Sequence, residues 1–252
     1  MTKQTQLGVI KTLGAMSLLV CWQLATLSTS DMVLASPLNT LETLIQLART
    51  SGFWQSMYTT LTRLIIALLL GASIGFVLGL WSGRNAYVKA FLEPYRWLLM
   101  SIPPVIVVLL AMLWFGMGNQ MVIFIAVLLL TPSIYVNTQK GVEQIDPSWV
   151  ELAQVYKFTW LQRIRRIYIP AISAPLCAAL VIICCNGVRV IVLAEVLGAS
   201  NGLGYELANA RGNFDISELY AWVTTSLLLV ALLEMIIFQP IQNYLLRWKK
   251  SA

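Results

Sequence analysis

The stretch that decides the fold is Pro147–Pro170, PSWVELAQVYKFTWLQRIRRIYIP, a polar segment between two long apolar runs. It carries Glu151, Lys157, Arg163, Arg165 and Arg166, yet its apolar residues keep helical spacing. Val150, Ala153 and Tyr156 form one set, and Trp160, Ile164 and Ile167 a second. Asp146 and Ser148 supply N-cap chemistry, and Pro147 suits a first helical turn. The pattern predicts a short amphipathic helix, a bend near Lys157–Thr159, and a second short helix running into Pro170. An amphipathic element of this size, held between apolar runs, offers a surface to a soluble partner. The alternative is a basic helix lying on lipid headgroups.

Working outward, the flanking runs settle the class. Of the 252 residues, 58% are apolar and 11% charged, too little polar surface to cover a soluble domain of this size. The apolar residues come in blocks of about 20, the length that crosses a bilayer core. The expected fold is therefore all-α, a single polytopic membrane bundle over residues 1–252 with about six spans and an amphipathic loop at about 143–170. The runs cover about Val9–Leu27, Leu61–Trp81, Trp97–Phe115, Met121–Val136, Ala171–Leu197 and Leu219–Phe238. The first could also be read as a signal peptide, but it is long and lacks a small-x-small cleavage site. Pro103-Pro104 must bend or break the third. Gly71, Gly75 and Gly79, spaced four apart, let another helix approach the second closely. Leu41, Leu44, Ile45 and Leu47 predict an amphipathic helix along the outer face, and Gly198–Ser217 reads as a polar loop.

Six spans put both termini on one side, and the basic residues choose it. Lys3, Lys11, Arg84, Lys89, Arg96, Lys140, the four basic residues of the amphipathic loop, Arg247, Lys249 and Lys250 fall together, against Arg49 and Arg211 opposite. By the positive-inside rule the termini and the amphipathic loop are expected to be cytoplasmic.

Several chemistries are missing. The chain has no histidine, and Cys21, Cys177, Cys184 and Cys185 lie inside apolar runs without metal-ligand spacing, so they read as packing residues. It contains no phosphate-cradling Gly-x-x-x-x-Gly-Lys-Ser/Thr, no Ser/His/Asp set, and no cofactor motif. It is not expected to be an enzyme or to bind nucleic acid. The net charge of +6 belongs mainly to the loops.

The loop resembles that of the permease subunits of ABC importers. Their cytoplasmic loop reads Glu-Ala-Ala, three residues, Gly, nine residues, then Ile-x-Leu-Pro. Glu151-Leu152-Ala153, Lys157 at the glycine position, and Ile167-Tyr168-Ile169-Pro170 keep that spacing, with departures at Leu152, Lys157 and Ile169. From about Tyr58 to Arg247 the arrangement is similar to the nitrate, sulfonate and taurine branch. Thr60-Leu61-Thr62-Arg63, Ile102-Pro103-Pro104, Trp114-Phe115-Gly116-Met117-Gly118, Ala194-Glu195, Gly202-Leu203-Gly204 and Glu234 carry that likeness. Residues 1–57 match only in general layout.

The resemblance implies a multi-pass inner-membrane permease that works as a homodimer. Two ATP-binding subunits would hold ATP-Mg, a soluble extracytoplasmic binding protein would deliver the solute, and this chain would bind no cofactor itself. The implied solute is a small anion such as nitrate, a sulfonate or taurine, although relatives also carry neutral heterocycles such as vitamin precursors. An ion-gradient-driven secondary transporter is the competing reading. It would want inverted repeats and acidic residues facing a shared site. A scaffold that recruits a cytoplasmic protein is a third.

The coupling residues implied by the loop are Val150, Glu151, Leu152, Ala153, Tyr156, Lys157, Ile167 and Pro170. Glu151, Val150, Ala153 and Tyr156 are expected to be buried only against the ATPase, and Lys157 is expected to keep an ordinary negative φ. Among the intramembrane charges, Arg63 and Glu195 lie near the outer ends of their spans, where they could pair or each reach interfacial water. Glu234 reads as a bundle-facing carboxylate. Arg189 falls in the outer half of the fifth span, with Asn186 on its face. A guanidinium beside an amide suits an oxyanion, and the alternative is that Arg189 snorkels or neutralises a carboxylate. The carbonyls freed at Pro103 and Pro104 either line a pathway or mark a structural break.

Overall fold

The computed structural model describes residues 3–29 and 33–238, and the elements among them are helical. Helix α1 is Lys3–Leu27, α2 is Pro37–Ala48, α3 is Ser51–Ser82, α4 is Ala86–Ser101 and α5 is Pro104–Phe115. Asn119–Glu143 forms α6, followed by α7 at Pro147–Val155, the short α8 at Trp160–Arg163 and a π-helical turn at Ile164–Tyr168. The chain then forms α9 at Ile169–Gly198, α10 at Leu203–Gly212 and α11 at Ile216–Leu232, which continues as a π-helical segment, Leu233–Phe238. The C-terminal Arg247, Lys249 and Lys250 lie outside the described residues.

Four segments are long and apolar enough to cross a membrane: α3, α6, Leu180–Gly198 of α9, and Ile216–Met235. The pair α4 and α5 meets the same test of length and hydropathy only when taken together, and is bent by 99° at its break. Pro103 and Pro104 cause this bend. The pyrrolidine rings of Pro103 and Pro104 force Ile102 and Pro103, respectively, out of helical geometry, and Pro104 then starts α5, where its missing N–H costs nothing. Helix α1 adds the apolar stretch Met16–Leu27. At 32 residues α3 is about 48 Å long, more than the ~30 Å hydrocarbon core, so it tilts or projects beyond it.

The centre of the bundle is the crossing of α3 on α6. The glycines at 71, 75, 79 and 83 follow one helical face and meet Thr131, Ile134, Thr138 and Val142 of α6. A β-carbon at Gly79 would lie 2.6 Å from Cβ of Thr138, and one at Gly75 would lie 2.8 Å from Cβ of Ile134. Without side chains the two backbones approach directly, and dispersion between them replaces the hydrophobic drive that lipid does not supply. Helix α9 closes the other side of α6, with Ile125, Ala126, Val188, Ile191 and Ala194 fully enclosed between them. At the start of α3, Phe53 stacks on Trp222 of α11 with ring centroids 5.3 Å apart.

The segment Gly198–Ser217, expected to be a polar loop, contains α10. Its helical pattern is weak because most of its residues are small or polar, and it is held by packing on α9 and α11.

Candidate functional site: the amphipathic loop, the buried ion pair and an intramembrane groove

The polar loop forms the expected short helix, bend and second helical segment, but the second segment passes through Pro170 into α9. The Asp146 carboxylate accepts from the Ser148 N–H at 2.9 Å and starts α7, and that bond holds the carboxyl below its usual range. Helix α7 ends in a left-handed residue. Lys157 has φ +53°, which corrects the expectation of a negative φ. The Lys157 N–H donates to the Gln154 carbonyl and the Phe158 N–H to the Ala153 carbonyl, both at 2.9 Å. Those are the two bonds of a Schellman ending, and they require the residue between Tyr156 and Phe158 to turn left-handed. The glycine of the related loops suits this position, and here a lysine takes the conformation. Thr159 and Gln162 then cap each other reciprocally to start α8.

The loop is anchored to the end of the bundle. Tyr168 and Ile172 are buried against Leu80 and Val142, with Ile164 and Phe76 packed beside them. The Arg84 guanidinium, at the α3–α4 junction, lies 3.6 Å from the Trp160 ring centroid and 5.2 Å from that of Tyr168. Glu151 lines the cleft of about 590 Å³ between the loop and the bundle, together with Arg84 and Arg163. Ala153 is 1% exposed within the chain itself, so its burial does not wait for a partner. The outward face of α7 is Trp149, Leu152 and Tyr156, one helical stripe, with Val155 beside it, all exposed. Tyr156 lies on the outward face as expected, whereas Ala153 turns inward and Leu152 takes its place. Ile167 is half-buried, Pro170 is exposed, and the Val150 side chain lies outside what is described.

At the opposite end of α3, Arg63 and Glu195 do pair. Nη1 of Arg63 donates to Oε1 of Glu195 at 2.5 Å, and both residues are almost fully buried. Nη1 also donates to the Asn201 carbonyl at 2.8 Å, Nε to Oδ1 of Asn119 at 2.9 Å, and Nη2 to the side-chain oxygens of Asn119 and Asn201. Glu195 accepts further from the Thr60 hydroxyl and from the Gly204 N–H, each at 2.9 Å. The Leu203 N–H donates to Thr60 Oγ1 at 2.9 Å. The turn reaches this depth because Gly202 has φ +105° and no side chain, and a β-carbon on it would lie 2.4 Å from Oε1 of Glu195. The Arg63–Glu195 pair thus ties together α3, the start of α6, α9 and the turn into α10. The carboxylate's lone pairs are taken by fixed donors, so the site is structural rather than acid-base chemistry.

Thr60, Asn119 and Asn201 complete the cluster, and sequence reasoning did not assign them as its partners. Thr60 was accessible to it, lying three residues before Arg63 and so on the same face of α3. The asparagines carry no such signal, since only the tertiary fold brings them to the guanidinium.

Arg189 and Glu234 come together on an open groove of about 480 Å³ between α9 and α11. Ser226 supplies a hydroxyl, and Val188, Val192, Leu227 and Val230 make most of the remaining wall. Arg189 and Glu234 are both exposed, and neither is in an ion pair among the described residues. Glu234 therefore does not face the interior of the chain's own bundle, as its sequence position suggested. Asn186 is exposed one turn before Arg189, and Pro103 and Pro104 are exposed at the α4–α5 bend.

The chain is 25% identical over 222 residues to the putative aliphatic sulfonates transport permease protein SsuC of Bacillus subtilis (strain 168), covering 88% of this chain and 80% of that one. It is 26% identical over 240 residues to the taurine transport system permease protein TauC of Escherichia coli (strain K12), covering 93% and 87%. It is 27% identical over 250 residues to the formylaminopyrimidine transport permease protein ThiX of Halalkalibacterium halodurans, covering 99% of each. Among solved structures, a bacterial ABC transporter involved in the import of the acidic polysaccharide alginate superposes with a TM-score of 0.68 at 16% identity, covering 97% of this chain and 96% of that one. An inward-facing MetNI methionine ABC transporter superposes with a TM-score of 0.64 at 18% identity, covering 78% and 94%. At such identities these two likenesses establish the fold alone. The family model for the inner membrane component of binding-protein-dependent transport systems matches residues 71–251, from the glycine row of α3 through the amphipathic loop, α9 and α11, and the chain belongs to that family.

Proposed function

We propose that this chain forms the translocation path of an ATP-driven importer for a small organic oxyanion of the sulfonate class. Two copies line the path, separate subunits bind and hydrolyse ATP, and a soluble binding protein delivers the solute from outside. In this reading the α7–α8 loop and both termini are cytoplasmic, in agreement with the bias of lysine and arginine. The exposed stripe Trp149, Leu152 and Tyr156 docks on the ATPase. Closure of the ATPases draws the two loops together and rocks the spans from inward-open to outward-open.

The observation that carries the solute class is Arg189 on its open groove. A guanidinium in a span costs about 2.5–3.5 kcal/mol on insertion scales, and such residues face an aqueous cavity or a partner rather than lipid. Arg189 offers a planar fork to an oxyanion in a wall that is otherwise mostly apolar. The sulfonate and taurine permeases among the relatives support the same class. A second reading has its own support, because the formylaminopyrimidine permease aligns over nearly the whole chain; that reading makes the solute a neutral heterocycle.

The test is the assembled transporter in proteoliposomes with its ATPases and binding protein. On the oxyanion reading, taurine or an alkanesulfonate stimulates ATP hydrolysis and formylaminopyrimidine does not. Arg189→Ala loses uptake of the sulfonate while keeping basal ATP hydrolysis, and Arg189→Lys recovers only part of it. Stimulation by formylaminopyrimidine alone, or normal sulfonate uptake by Arg189→Ala, overturns the assignment.

A further inference from the structure

The end of the bundle that carries the coupling loop has a second, smaller site, between α4 and α6. A polar groove of about 260 Å³ is lined by Lys89, Glu93, Arg96, Gln139, Lys140 and Glu143. Beside it an apolar slot of about 70 Å³ is lined by Leu78, Leu92, Tyr95, Leu99, Pro132 and Tyr135, and Arg96 belongs to both. We propose that this pair of cavities is a binding site for an anionic glycerophospholipid, with its phosphodiester in the groove and the head of one acyl chain in the slot.

The charges support the headgroup. Three cations and two carboxylates line the groove, so it keeps one positive charge. Both carboxylates are already engaged. Glu143 accepts from Lys89 Nζ at 2.9 Å and from Gln139 at 3.0 Å, and Glu93 accepts from Arg96 Nε at 3.0 Å and from its Nη2. Lys140 is exposed and takes part in no ion pair among the described residues. The ammonium of Lys89 has two N–H groups beyond the one given to Glu143. A single phosphodiester balances the remaining charge, and basic pockets between spans are the recurrent place for such headgroups.

The slot distinguishes a lipid from a free phosphate. It opens next to Arg96 and its wall is nearly all hydrocarbon and aromatic ring, which suits an acyl chain. Its floor is held in place, since Tyr135 shares a 2.7 Å hydrogen bond with Ser82 of α3. Tyr95, in the wall of the slot, is more than half exposed, as are Tyr87 and Trp97 on α4 and Trp81 at the end of α3. Aromatic side chains of this kind gather at headgroup depth, which places the groove at the membrane surface and the slot below it.

The experiment is native mass spectrometry of the purified, delipidated transporter titrated with phosphatidylglycerol, with phosphatidylcholine, and with soluble glycerol 1-phosphate. Phosphatidylglycerol is expected to bind about fivefold more tightly than phosphatidylcholine, the preference that one net lysine charge near a membrane surface gives. Lys140→Gln, at an exposed position, removes that preference and leaves the thermal midpoint unchanged. Leu92→Trp fills the slot and weakens both lipids. Equal affinity for the two lipids, a preference that survives Lys140→Gln, or displacement of phosphatidylglycerol by millimolar glycerol 1-phosphate overturns the proposal. So does a disulfide between two copies formed from Leu92→Cys, because that outcome makes the groove an interface between copies.

Discussion

Glu195→Gln perturbs the node at the non-coupling end with almost no change in volume. The carboxylate receives the Arg63 guanidinium at 2.5 Å, the Thr60 hydroxyl, and the Gly204 N–H at 2.9 Å. A glutamine amide has one oxygen and one NH2, so in either orientation it points a donor at Arg63 or at Gly204. One hydrogen bond is therefore replaced by a donor–donor contact, and the Arg63 charge stays buried without its counter-ion. Breaking a buried pair by removing one partner costs about 3–5 kcal/mol. The asparagine contacts of Arg63 survive the change and moderate the loss, so the lower end, about 3 kcal/mol, is expected. Arg63→Gln with Glu195→Gln removes both charges and should recover part of it, giving a coupling energy of about 2 kcal/mol. The assay is the thermal unfolding midpoint of the purified permease in detergent, with the two single variants and the double variant measured as a cycle. If Glu195→Gln unfolds within about 0.5 kcal/mol of the parent, or the two changes simply add, the pair does not hold the turn in place.

Four further outcomes are expected. Lys157→Gly relieves a left-handed lysine, about 1–2 kcal/mol, and loses about 0.4–1 kcal/mol to the freer unfolded chain, so the loop should be unchanged or stabilised by up to about 1.6 kcal/mol, read as slower limited proteolysis, while ATPase coupling persists. Gly79→Ala drives a β-carbon to 2.6 Å from Thr138 and should cost about 1–3 kcal/mol in thermal unfolding. Gly71→Ala, whose nearest contact would be 3.4 Å, should be neutral or gain up to about 1 kcal/mol from helix propensity. The Asp146 carboxylate is held below its usual range by the Ser148 N–H, so its contribution to α7 is fully present above the unfolded value of about 3.9 and is lost as pH falls through the lower folded value. Hydrogen exchange at the start of α7 should therefore be insensitive to this group from pH 5 to 8 and rise only in stronger acid. Asp146→Asn should abolish the acid-induced rise while keeping the cap.

Local chemistry determined much of this protein before any folding. The length and hydropathy of the apolar runs fixed a membrane bundle, because a span must be long and satisfy its own backbone. Pro103-Pro104 fixed the break between α4 and α5, and the glycine spacing in α3 fixed a face for close approach. The spacing from Glu151 to Pro170 gave the amphipathic loop, because caps and helical periodicity are properties of neighbouring residues. Tertiary structure decided the rest. That α6 is the helix received by the glycine row follows from which surface fits it, and so does the meeting of Asn119, Asn201 and the Gly204 N–H on the Arg63–Glu195 pair. Lys157 turned left-handed because both Schellman bonds must close, a constraint that residue type alone does not reveal. Arg189 and Glu234, 45 residues apart in the chain, share one groove because α9 and α11 pack side by side, and no periodicity within either helix specifies the neighbour it will meet.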